Sequence, residues 1–179
     1  LSVLVEINHP NVESFIGAYI DNTNITIITN RSGVSLDNYL SFHKADDPYK
    51  FKPGDRTILT FKIARAMLHL HIRSIIHRNL VNSNIFIQQN QNNEIDEINP
   101  IVVGFRASRL LPPNPTIGLS NEQMKKTDYC QSPFFAPEFG SGHIYDEKVD
   151  VFAFSGILYE LLMGEPPFKN LSDKKIKQK

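Results

Sequence analysis

From Val149 to Met163 the chain is apolar on nearly every side once wound as a helix. A helix without a polar stripe cannot lie at a surface and must be ringed by other elements. The stretch is too short to cross a bilayer, so it is expected to form the buried centre of a helical half. Little sequence follows Gly164-Glu165-Pro166-Pro167-Phe168, and its neighbours must therefore come mostly from upstream. One is predicted over Thr57 to Ser74, where Leu59, Ile63, Ala66, Met67 and Leu70 recur at helical spacing behind Asp55 as N-cap.

The remaining segments alternate between extended and helical signals. Leu1, Leu4 and Val5 share a helical face that Pro10 terminates, because proline excludes the α region at the residue before it. Val12 to Ala18 and Ile25 to Thr29 are β-branched, apolar stretches around Asp21-Asn22-Thr23-Asn24, which predicts an antiparallel pair. Gly33 breaks the second strand, Ser35 caps a brief helix over Leu36 to Leu40, and a polar loop is expected from His43 to Pro53. Ile85 to Ile87 and Ile101 to Val103 predict a hairpin around a solvated loop, and the Pro- and Asn-rich stretch from Arg106 to Pro137 reads as one long loop. The fold class is α+β.

Length and composition narrow the function classes. With 179 residues, 41% hydrophobic and 21% charged, one globular domain is expected. A formal net charge of zero offers no surface for nucleic acid or an acidic membrane. Cys130 is the single cysteine and cannot close an internal disulfide, and no signal peptide is present, which together imply a cytoplasmic setting. The chain opens inside an amphipathic pattern at Leu1 and stops within Lys174 to Lys179, so a fragment of a longer protein is expected.

The run Ile76-His77-Arg78-Asn79-Leu80-Val81-Asn82-Ser83-Asn84-Ile85-Phe86-Ile87 resembles the catalytic loop of eukaryotic protein kinases, H-R-D-L-K-x-x-N-I. Leu68-His69-Leu70-His71 looks like the helix that runs into that loop. Gly104-Phe105-Arg106 then occupies the place of D-F-G, Ala136-Pro137-Glu138 matches A-P-E, and Lys148 to Phe154 matches the opening of the family's central helix, which Tyr159 to Phe168 closes in the family manner. The order of these matches is specific, their flavour is that of the tyrosine-kinase-like serine/threonine group, and they cover the whole chain. The resemblance implies a protein-kinase-like fold. Residues 1–30 would be a small-lobe remnant, with the end of the regulatory helix and the family's fourth and fifth strands. Residues 31–168 would be the large lobe through the central helix, and 169–179 a tail or the start of the next helix.

Phosphoryl transfer needs a base at the attacking hydroxyl, a lysine on the phosphates and magnesium held by carboxylate and amide oxygens. By this resemblance Asn79 replaces the base, and an amide cannot take a proton at neutral pH, forfeiting about 10²–10⁴-fold of rate. Val81 replaces the loop lysine, Gly104 the magnesium aspartate, and Gln131 a threonine that braces the loop; only Asn84, an amide metal ligand, is retained. No metal is implied, nor any cofactor beyond weak ATP binding by a full-length parent. The structural positions are kept: Leu4, Phe15, His77 and Phe105 would stack as the regulatory spine, anchored by Asp150 bonding the backbone at His77 and Arg78. Thr29 would be the gatekeeper, and Phe86 the floor of the adenine pocket.

A catalytically inactive pseudokinase is therefore expected, a regulatory or interaction module whose partners are other signalling proteins, an active kinase among them. The alternative is a piece of an active serine/threonine kinase in which Asp96, Glu97 or Asp128 substitutes for a lost carboxylate. Arg78 could clamp a phosphate at Thr127, Tyr129 or Ser132. Glu138 would normally pair with an arginine beyond Lys179, and a buried carboxylate without a partner costs about 3–5 kcal/mol. His69 and His71 lie two apart, do not share a face, and are expected only as helix-face residues.

Overall fold

The computed structural model describes residues 2–22, 24–30, 33–46, 53–88, 98–111, 133–138 and 144–169. The long apolar run forms the last described helix, Lys148–Met163, which buries Val149, Asp150, Ala153, Gly156, Ile157, Glu160 and Leu161. That is one face at three- and four-residue spacing. Val151, Tyr159, Leu162 and Met163 remain exposed, so among the described residues the helix is covered on one side and not, as expected, all round.

In chain order, α1 (Ser2–Val5) leads to β1 (Ser14–Asp21) and β2 (Asn24–Asn30). These two strands pair antiparallel, with Phe15 opposite Thr29 and a bulge between Phe15 and Gly17. Then come β3 (Val34–Ser35), α2 (Leu36–Asp46), α3 (Pro53–Ile72) and β4 (Ile75–Ile76), followed by β5 (Ile85–Ile87), β6 (Pro100–Val102), β7 (Arg109–Leu110) and α4, the helix already described. The antiparallel sheet β3-β5-β6 contains the expected hairpin. Strand β7 pairs with β4 inside what was expected to be featureless loop.

Two helix boundaries differ from expectation. Helix α2 continues through Asp46, past the predicted start of the loop at His43. Helix α3 starts at Pro53, so Asp55 sits in the first turn and not at the cap; proline suits a helix start because its missing N–H has no partner there anyway. The face predicted for α3 is buried as a set, with Leu59, Ile63, Ala66 and Leu70 fully enclosed. It packs on β6 and α4, joining sheet and helices in one core that runs from Leu4 to Leu161. No described helix is long and apolar enough to cross a membrane.

Gly33 marks the entry to β3. Its φ of +112° is one that side chains rarely adopt, and an added Cβ would overlap the Ile87 carbonyl oxygen, a backbone atom with no freedom to move aside. Gly33→Ala is expected to lower stability by about 1–3 kcal/mol, read as a lower urea midpoint at unchanged m-value.

Candidate functional site

The segment after α3 is shaped by one buried carboxylate. Asp150, 1% exposed, accepts the His77 N–H at Oδ2 and the Arg78 N–H at Oδ1, both at 2.8 Å. His71 donates from Nε2 to the same Oδ2 at 3.0 Å. The two backbone bonds hold Arg78 at φ +66°, a left-handed conformation unfavourable for a residue with a Cβ. The Arg78 guanidinium lies over the Tyr145 ring, 5.5 Å from its centroid.

His77 is fully buried and both its ring nitrogens are committed. Nε2 donates to the Val103 carbonyl at 3.0 Å, which assigns Nδ1 as the acceptor of the Asn79 N–H at 3.2 Å. Burial pushes its pKa down, against the opposing pull of Asp150, and the ring is neutral. It meets Phe105 edge-on, with centroids 4.8 Å apart. Phe105 shares its hydrophobic cluster with Leu4, and Phe15 packs against that cluster. Thr29 is half-buried opposite Phe15, and Phe86 is half-buried on β5.

The positions aligned with catalytic groups surround this frame. Asn79 contributes its backbone, accepting from Asn84 Nδ2 at 2.8 Å. Val81 is half-buried and packs on the core. Gly104 has φ +90°, and a Cβ there would come within 2.8 Å of the Asn84 amide carbon, so the Asn84 side chain takes up the space beside it. Against Gly104 stands a group the sequence reading did not single out. Glu13, 7% exposed, accepts the Gly104 N–H at 2.9 Å. Residues 11–13 are pinned there because Val102 N donates to Asn11 O and Glu13 N to Val102 O, each at 2.9 Å.

Two further contacts escaped the sequence reading. His71 was expected only as a helix-face residue, yet its ring bonds Asp150. Glu160 on α4 accepts from Asn82 Nδ2 at 2.9 Å, a buried tie between the loop and the helix. Glu138 is half-buried and engaged within the chain, so the expected cost of an unpartnered buried carboxylate does not arise. Gln131, Asp96, Glu97, Thr127, Asp128, Tyr129, Cys130 and Ser132 lie outside the described residues.

A loop anchored on α4 and a buried histidine set edge-on against the phenylalanine after position 104 form the frame of a protein kinase domain. The chain belongs to the protein kinase family, whose domain profile matches residues 1–179. It is 34% identical to the serine/threonine-protein kinase VIK of Arabidopsis thaliana over 174 residues, 95% of this chain and 36% of that protein. It is 30% identical to the dual specificity protein kinase pyk3 of Dictyostelium discoideum over 172 residues, 96% of this chain and 11% of that one. The cell cycle serine/threonine-protein kinase CDC5/MSD2 of Saccharomyces cerevisiae matches at 30% over 168 residues, 90% of this chain and 21% of that one. The chain thus spans well under half the length of these relatives.

The family implies magnesium, and the family's arrangement does not fit these residues. Position 104 has no side-chain oxygen, and the neighbouring space is filled by Asn84. Among the described residues no three His, Cys, Asp or Glu side chains converge as a metal cluster.

The neutral, buried His77 links stability to pH. Its folded pKa lies below the unfolded value of 6.5, so the unfolded chain takes up the proton first and stability falls as pH drops below that value. His9 and His69, also shifted down chiefly by burial, act in the same direction. The melting temperature is expected to fall between pH 7.5 and about 5.5, and the fall to be smaller in His77→Gln than in the native chain.

Proposed function

We propose that this is a pseudokinase domain of the tyrosine-kinase-like group, a cytosolic module that regulates signalling proteins, an active kinase among them, by binding and not by phosphoryl transfer. The observation that carries the reading is the contrast within one loop. Asp150, His77 and Phe105 hold the family's shape, while Asn79, Val81 and Gly104 present no base, no cation and no carboxylate at the positions where transfer needs them. The cytosolic setting is supported by the single cysteine, Cys130.

A second reading, an active kinase with a rearranged site, is favoured by the Glu13 carboxylate beside Gly104. It restores one missing charge and leaves the base missing. Labelled ATP with magnesium and the full-length protein decides between the two readings. No transfer above background to itself or to generic substrates is expected, because loss of the base alone removes about 10²–10⁴-fold. Transfer that disappears in Asn84→Ala would establish the second reading and overturn the first.

A further inference from the structure

Four basic side chains meet where the segment before β1 crosses the end of α3. Arg65, His69 and Arg73 follow one another at four-residue spacing, which sets them on one side of the helix and its closing turn, where like charges repel. Arg73 folds back, donating from Nη1 to His69 Nδ1 at 3.2 Å and to the His69 carbonyl at 3.3 Å. The His9 ring lies against His69, with centroids 4.9 Å apart. Arg65, its guanidinium over the Phe61 ring, is also close enough to act on His9. The charges that act on the two rings are all positive. A basic residue at a helix C-terminus is ordinary, and that accounts for Arg73. It does not account for His9, which comes from another segment, or for Arg65, two turns back.

Both rings are left with a donor and no acceptor. A guanidinium on His69 Nδ1 assigns the ring proton to Nε2, and that enclosed N–H has no partner among the described residues. The Asn11 N–H on His9 Nδ1, at 3.1 Å, likewise leaves the His9 proton on Nε2, where no described group accepts it. His9 also lines a cleft of about 280 Å³ with Asn8, Ser14, Asn30 and Gln88, all polar and none acidic. Cations that repel one another, with unused donors and room beside them, are relieved by an anion. We propose that His9, His69 and Arg73 bind a tetrahedral oxyanion of the phosphate class, with Arg65 adding its field. Guanidinium and imidazole N–H groups are the donors that such oxygens take. Because His9 precedes β1 and the other three side chains belong to α3 and its closing turn, the bound anion fastens the segment before β1 to the helical half.

Sulfate, whose charge does not change through the histidine range, is the probe, with the full-length protein and with sodium chloride at matched ionic strength as control. Saturable binding at millimolar sulfate is expected, read as a rise in melting temperature and as shifts of the histidine ring signals by NMR. In the empty site burial, and then the neighbouring cations, hold both rings below the ordinary histidine pKa. Bound sulfate raises them, so affinity rises as pH falls through that range. Arg73→Gln is expected to weaken binding about ten-fold, and His9→Asn, which keeps an acceptor for the Asn11 N–H, about five-fold. Lys148→Gln, at an exposed site on α4, is expected to leave it unchanged. The proposal is overturned by no saturable binding beyond the chloride control, by affinity independent of pH, by unchanged affinity in Arg73→Gln, or by an equal loss in Lys148→Gln. If Arg73→Gln does not fold, the exposed Arg65→Gln decides: a loss of about two-fold supports the site and none removes it. Inorganic phosphate and O-phosphoserine then separate a free anion from a phosphorylated side chain. The tighter of the two names the source, and failure of both overturns the site.

Discussion

Asp150 brings three segments to one point. A carboxylate this deeply enclosed is tolerable only if its oxygens are filled, and here they are filled by two consecutive backbone N–H groups of the loop and by a ring at the end of α3. The cost of burying the charge is offset by these bonds. Arg78 consequently takes a left-handed conformation, His77 faces inward to meet Phe105, and Asn79 follows half-buried. The loop is shaped from α4 outward.

The same geometry explains how the shape survives with the catalytic side chains exchanged. At Asn79 the bonds that matter use the N–H and the carbonyl; at Gly104 the bond uses the N–H. Main-chain groups carry the frame at both positions, although at Gly104 a side chain would meet Asn84 and strain a φ of +90°. Val81 goes further, placing an apolar side chain against the core at the position that the resemblance assigns to the loop lysine. Function and scaffold are thus separable in this fold because they draw on different atoms of the same residues.

Much of this was legible in the sequence. The periodic face of α3 was read correctly from Leu59 to Leu70, because burial there follows a spacing that pattern alone reveals. The β5-β6 hairpin was legible from two short β-branched runs. The ends of α2 and α3 were not, since Pro53 starts a helix as well as Asp55 caps one. Strand β7 was hidden because two residues, Arg109 and Leu110, carry no period; only its partner β4 defines it. Glu13 and His71 were missed for a related reason. A lone acid in a β-branched run and a histidine on a helix look like surface residues until tertiary contacts at Gly104 and Asp150 enclose them. Glu13 also qualifies the picture of a site stripped of charge, because a carboxylate does stand beside position 104.

The amides of His77 and Arg78 sit in irregular chain, where exchange with solvent deuterium is ordinarily fast. Both are capped by a carboxylate that α4 keeps from water. Neither can open alone, since freeing one would strand half of a buried charge. Their isotope exchange is therefore tied to the opening of α4 as a whole, and two loop protons report on the integrity of the helical core.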